Sequence, residues 1–221
     1  MRADQGYFAA PRGGGPGVLV LHAWWGLSDG IMRYCDRLAA GGLVAHAPDL
    51  AGGRIARTIP EAQALADELD EEAGCRRAAD GFARLRGHPA VRGRLAVAGF
   101  SMGVWFALDL ATRFESVRTV VLHYGTAGPF DHSRHRAAVL GHFAEHDPYE
   151  PAEEVRALED GLGRAGRAAR FHVYPGVGHW FAEADRHDAY DAAAAARALR
   201  RTVSFLRDRL QTSAVAPPEE W

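Results

Sequence analysis

The chain has no lysine and no asparagine, and only two cysteines in 221 residues. All 26 of its basic side chains are therefore arginines. The missing lysine excludes a Schiff-base nucleophile, a phosphate-loop lysine and a lysine general base. Cys35 and Cys75 are too few for a disulfide scaffold. No apolar run approaches the ~18 residues of a membrane span. Met1 to Pro16 lacks the basic and apolar regions of a signal peptide, so a cytoplasmic location is expected. An excess of either charge is missing too: 26 basic residues face 28 acidic ones, for a net charge of −2. Nucleic acid and anionic membrane are therefore not expected partners, because binding to them rests on clustered positive charge.

What is present is a hydrophobic content of 48%. One domain of this length can bury roughly 70% of the surface its unfolded chain exposes, whereas two would be cramped. The expected division is one domain over 1–211 and a frayed, Pro-rich tail over 212–221. Short apolar runs recur at Val18 to His22, Leu43 to Ala47, Leu95 to Gly99, Val117 to Leu122, Ala138 to Phe143 and Arg170 to Tyr174. Rich in Val and Leu and bounded by Gly or Pro, they suit strands covered on both faces. Tyr7 to Ala10 suits an antiparallel edge strand. Helical patterns lie between them, at Asp29 to Ala40, Pro60 to Arg86, Ser101 to Phe114, Pro151 to Ala165 and His187 to Leu210. This alternation predicts an α/β domain with a mostly parallel sheet and helices on both faces.

The most informative stretch is Gly99-Phe100-Ser101-Met102-Gly103, after an apolar run and before a helical pattern. With 25 glycines and 6 serines in the chain, chance supplies fewer than ~0.1 such patterns. The physical demand is steric. A sharp strand-to-helix turn exposes the serine hydroxyl, and side chains at either glycine would block the close approach of backbone and helix. The Met102 N–H at the helix start can then face a developing oxyanion. A serine so placed needs a histidine base and an acid downstream. Asp147 ends one strand and its loop, and His179 ends the Gly-rich loop after the next strand. Strand carboxyl ends carry the sites of open α/β sheets. Asp131 and Glu145 compete for the role of the acid.

Other histidines read differently. His46, His123, His142 and His172 lie on strand patterns and suit buried or edge positions. His132 and His135 sit beside Asp131 but lack a third clear metal ligand. His142 and His146 are ~13 Å apart on a strand, too far for one ion. No metal and no cofactor is expected.

Three segments together resemble the dienelactone hydrolase family of the α/β-hydrolase fold. They are His22-Ala23-Trp24-Trp25-Gly26, Gly99 to Gly103, and Pro175-Gly176-Val177-Gly178-His179-Trp180-Phe181. Asp36 to Ala39, Ala47 to Leu50 and Glu145 to Pro148 add to the likeness, which spans roughly Gly6 to Leu210. The resemblance implies a single-domain α/β-hydrolase fold. It also implies the Trp25 N–H as the second oxyanion donor. Gly125 to Ala137 is too short for a large cap domain. Three departures stand out. Ser101 occupies the place of the family's typical cysteine, and Ala23 that of a glutamate paired with the thiol. Glu183, four residues after His179, replaces a basic residue that holds a substrate carboxylate. An ionised Glu183 about 7 Å from an anionic substrate would oppose it by ~2 kcal/mol at an effective dielectric of about 20.

The expected function is hydrolysis of an ester, lactone or thioester by Ser101, His179 and Asp147 through an acyl-enzyme, with Met102 and Trp25 as oxyanion donors. Trp24, Trp105, Tyr124, Trp180, Phe181 and Glu183 are the expected pocket residues. The expected partner is a small-molecule ester or lactone, and the expected state a monomer or weak homo-oligomer. A peptidase or acyltransferase, or a non-catalytic ligand-binding member of the fold, are the alternatives, since a triad does not choose its acceptor.

Overall fold

The apolar runs become β1 (Tyr7–Ala9), β2 (Gly15–Leu21), β3 (Val44–Ala47), β4 (Val91–Phe100), β5 (Thr119–His123), β6 (Ala138–His146) and β7 (Ala169–Gly178). A computed structural model describes residues 6–211, so the tail expected over 212–221 lies outside the described residues. The strands form one sheet in the order β1-β3-β2-β4-β5-β6-β7. All pairings are parallel except β1 with β3, which is antiparallel at the edge. Central strands are buried along nearly their whole apolar length, as β5 is from Thr119 to His123, because both faces are covered.

The helices are α1 (Asp29–Ala40), α2 (Ile59–Asp67), α3 (Glu71–Gly87), α4 (Gly103–Arg113), α5 (Ala152–Arg164) and α6 (Ala192–Gln211). On one face, α1 and α6 contribute Ile31, Cys35, Leu38, Ala198 and Leu206 to a continuous apolar layer. On the other, α3, α4 and α5 contribute Phe82, Leu85, Phe106, Leu110 and Leu162. Each fully buried Leu, Ile or Phe stabilises by roughly 1.5–3 kcal/mol. Cys35 belongs to the first layer and Cys75 to the second, and both are free thiols. The sheet itself keeps them apart. Among the described residues, no helix is long and apolar enough to cross a membrane.

Two helices differ from the expected spans. The single helix expected from Pro60 to Arg86 is two. Thr58 and Glu61 form a capping box with Pro60 in the first turn of α2, as its chemistry favours. Asp70 then accepts from the Glu72 and Ala73 N–H groups and starts α3 afresh. A side chain that satisfies the free N–H groups of a new helix competes with continuing the old one. The helix expected from His187 begins only at Ala192. Tight turns occupy 183–190, with Arg186 N–H donating to the Glu183 carbonyl and Ala189 N–H to that of Arg186. The Asp191 carboxylate caps α6 by accepting from the Ala194 N–H at 2.7 Å. Between β5 and β6 there is only a single short 3-10 turn, His132–Arg134, and no helical cap.

Candidate active site

Ser101 stands between the end of β4 and the start of α4. Its φ is +48°, in the left-handed region that L residues avoid. The turn is held by the Ser101 N–H donating to the His123 carbonyl at 2.9 Å and the Val104 N–H to the Ser101 carbonyl at 2.8 Å. The flanking glycines have steric reasons. A Cβ on Gly99 would lie 2.5 Å from the Gly103 carbonyl oxygen, and one on Gly103 would lie 2.3 Å from that of Leu21. The helix thus starts against the β2 backbone, which aims the serine outward.

His179 follows β7, and Asp147 follows β6. In the sheet His146 pairs with Gly178, after a register shift beyond Ala144. The next residue of each strand, Asp147 and His179, therefore meets its counterpart. His179 Nδ1 lies 2.7 Å from Asp147 Oδ2, and His179 Nε2 lies 2.9 Å from Ser101 Oγ. A carboxylate only accepts, so Nδ1 carries the proton toward Asp147 and Nε2 is free to accept from the serine hydroxyl. Asp147 Oδ1 accepts from the Tyr149 and Glu150 N–H groups, each at 3.0 Å, which fixes the carboxylate plane. Both side chains of the His179–Asp147 pair are buried.

The other acids go elsewhere. Asp131 is exposed and accepts from Ser133, capping the short turn at His132. Glu145 is exposed and accepts from the Gly176 N–H at 2.8 Å. Neither reaches His179.

The Met102 N–H stands at the start of α4 and the Trp25 N–H in the turn after β2. Among the described residues, neither has an acceptor within the chain. The Trp25 turn is locked from behind, with its carbonyl accepting from the Ala56 N–H at 3.0 Å. Gly26, at φ +88°, is pressed against the Arg54 carbonyl, 2.2 Å from where a Cβ would lie. Arg186 lies over the Trp25 ring at 4.2 Å from its centroid.

The expected pocket residues separate. Trp24 and Trp180 stack at 6.1 Å, and Trp180 meets His179 edge-on at 4.9 Å. Tyr124 lies 5.0 Å from His179 but is fully buried, with Phe181 behind it at 5.4 Å. Trp105 is not brought to this group. It meets Phe106 at 5.2 Å in the apolar layer of the opposite sheet face. Tyr149, which the sequence reading missed, lies 5.0 Å from both His179 and Trp180 and 5.7 Å from Trp24. Its only signal in the sequence is an aromatic two residues beyond the strand-end aspartate. The buried histidines are engaged in the core. His142 lies between the Tyr174 and Thr202 hydroxyls at 2.9 Å each, and His123 lies 3.0 Å from the Tyr34 hydroxyl. Burial holds His123 down to about 3, hence neutral. His132 and His135 bond to each other at 3.1 Å. Burial also pushes up the Cys35 thiol, and that of Cys75 to about 11, so neither is a thiolate nucleophile at neutral pH.

Glu183 corrects an expectation. It is only 1% exposed, and its Oε1 accepts from the Tyr124 hydroxyl at 3.1 Å. Burial, with Asp185 nearby, pushes its pKa up to about 8, against the opposing pull of the Tyr124 hydrogen bond and Arg186. Burial thus favours its protonated form, which lacks the charge expected to repel an anionic substrate. Unfolded, such a carboxyl releases its proton near 4.5; folded, it keeps it to about 8. The folded state binds the extra proton across that window, so stability falls as pH rises through it. Glu183→Gln removes this titration and keeps an oxygen for Tyr124. Its Tm relative to wild type should rise between about pH 5 and about pH 8. Parallel Tm curves for the two proteins would mean that Glu183 is ionised in the fold.

Comparison with known proteins gives a consistent picture. The model of the dienelactone hydrolase family matches residues 5–210. The chain is 30% identical over 217 residues to the protein usf of Aquifex pyrophilus, covering 93% of this chain and 94% of that one. It is 34% identical over 225 residues to a putative carboxymethylenebutenolidase of Azospirillum brasilense, covering 92% and 93%. Among solved structures, a dienelactone-hydrolase-like promiscuous phosphotriesterase from metagenomic libraries superimposes with a TM-score of 0.78. That pair shares 25% identity over 91% of this chain and 88% of the other. A putative dienelactone hydrolase of Klebsiella pneumoniae also gives 0.78, at 23% identity over 89% and 90%.

Proposed function

The chain belongs to the dienelactone hydrolase family, hydrolases of carboxylic esters and lactones, and we propose that it works through a serine acyl-enzyme. Ser101 Oγ attacks the substrate carbonyl carbon while His179 Nε2 takes the hydroxyl proton. The tetrahedral oxyanion accepts from the Met102 and Trp25 N–H groups. The bond to the leaving oxygen, or to the sulfur of a thioester, then breaks, and His179 hands that atom the proton, releasing an alcohol or a thiol and leaving the acyl group on Ser101. Water, deprotonated by His179, repeats the sequence and frees the acid. Asp147 holds the imidazole in the productive tautomer and stabilises its charged form.

One observation carries this reading: a single hydrogen-bonded line from Ser101 Oγ through His179 to Asp147, at 2.9 and 2.7 Å. The substitution of serine for the family's typical cysteine fits Ala23. A serine is not an alkoxide at rest, so it needs the histidine and no partner acid for a resting thiolate. A small-molecule substrate in the cytoplasm completes the proposal, and the free thiols of Cys35 and Cys75 suit that compartment.

The test is covalent capture. A fluorophosphonate probe should label the protein at one site, the peptide containing Ser101. Labelling should be lost in Ser101→Ala and in His179→Ala. A wild-type protein that stays unlabelled, while a folded control serine hydrolase reacts, sinks the serine acyl-enzyme reading.

A further inference from the structure

A cavity of about 290 Å³ opens beside the Ser101 turn, between the loop after β3 and the junction of α2 with α3. Its wall includes Trp24 and Met102. Met102 carries one of the proposed oxyanion donors, and Trp24 precedes the other. Leu50, Leu65, Leu69 and Ala73 supply further apolar wall, while His179, Tyr149 and Trp180 do not line it. The break between α2 and α3 brings Leu69 and Ala73 to one wall, so the cavity exists because the expected single helix is two.

We propose that this cavity receives the acyl chain of the substrate and that this chain is uncharged. The inference rests on the acyl-enzyme reading above. His179 must protonate the leaving oxygen, so the leaving group lies on the His179 side, against Tyr149 and Trp180. The acyl group stays on Ser101 with its oxygen at the Met102 and Trp25 N–H groups. Its chain must then run away from His179, and the cavity bounded by Met102 and Trp24 takes no wall from His179.

Charge in the wall favours a neutral chain. Two arginines, Arg54 and Arg77, face two acids, Glu68 and Asp70. Arg54 pairs with Glu68 across the rim, and Arg77 donates to the Leu50 carbonyl at 2.6 Å. Asp70 caps α3 and lies 3.7 Å from Arg76. His22 is neutral, its pKa lowered by burial, and accepts from the Leu50 N–H. The two positive and two negative side chains leave the wall without a net charge to draw a carboxylate in. The volume suits a chain of about four to eight carbons at ~30 Å³ per water-sized group, allowing for packing losses.

The experiment uses two ester series on the purified chain. One varies the acyl group on a fixed p-nitrophenol, from acetyl to octanoyl. The other varies the alcohol on a fixed acetyl group. Wild-type kcat/KM should rise along the acyl series, by up to about fourfold per buried methylene. Ala66→Phe, which fills the cavity from α2, should cut the hexanoyl-to-acetyl ratio by ~10-fold or more. Leu69→Ala, which widens it, should move the preferred chain toward greater length and guards against misfolding of the first variant. Neither should move the ratios of the alcohol series by more than about twofold. A terminal carboxylate on the acyl chain should lower kcat/KM against the neutral chain of equal length. The proposal is overturned if both variants leave the acyl ratios still, if the alcohol series moves instead, or if the carboxylate chain is preferred. Turnover that is full and Ser101-dependent but flat with chain length condemns the acyl pocket alone. Absence of Ser101-dependent turnover on every ester condemns the acyl-enzyme reading beneath it.

Discussion

Ser101→Ala should lower kcat for ester hydrolysis by ~10⁴–10⁶-fold while leaving the fold intact, and His179→Ala should do the same. The two residues act as a unit, because an alcohol without a base is a poor nucleophile and a base without the alcohol has only water to activate. The double variant should therefore be little worse than either single one. A residual rate above the uncatalysed reaction should survive, from the Met102 and Trp25 N–H groups and from substrate binding. The hydroxyl is small and partly exposed, so its loss should shift Tm little. The checks are kcat from initial rates, with circular dichroism and Tm as controls on folding. Ser101→Ala with near-normal turnover, or losses that multiply in the double variant, would remove Ser101 from the chemistry.

Asp147→Asn should cost ~10⁴-fold in kcat without loss of structure. The local hydrogen bonds say why. Oδ1 accepts from Tyr149 and Glu150 at 3.0 Å each, and the asparagine oxygen would keep that position. Its NH₂ group would then face His179 Nδ1, where the carboxylate oxygen stood at 2.7 Å. A donor there forces the imidazole proton onto Nε2, which can no longer accept from Ser101. The defect is one of tautomer rather than position, so KM should change much less than kcat. Asp131→Asn and Glu145→Gln, both remote from His179, should stay within a few-fold of wild type. A large loss at Asp131 with none at Asp147 would reassign the acid.

The strand-to-helix turn at Ser101 was legible in the sequence because its constraints are local. Two glycines, a serine, a strand before and a helix after are all demanded by one tight backbone turn. The alternation of strand and helix was legible for the same kind of reason, since burial on two faces leaves continuous apolar runs. Helix breaks were not. Asp70 interrupts one expected helix and Asp191 delays the start of another by capping helices at new positions, and a cap competes with a helical continuation that composition alone equally allows. Asp147 was the expected carboxylate partner of His179, with Asp131 and Glu145 as competitors. The choice among Asp131, Glu145 and Asp147 is a matter of which residues stand opposite each other on β6 and β7. That register, with its shift past Ala144, is a pairing between strands that no local pattern encodes.

Tertiary structure alone decided the face of Trp105, the nearness of Tyr149 to His179 and the charge of Glu183. A side chain's type names what it can be; burial and neighbours set what it is. Glu183 reads as an anion in the sequence. Packed under Tyr124 with almost no access to water, its carboxyl keeps its proton because desolvation penalises the charged form more than Arg186 compensates it.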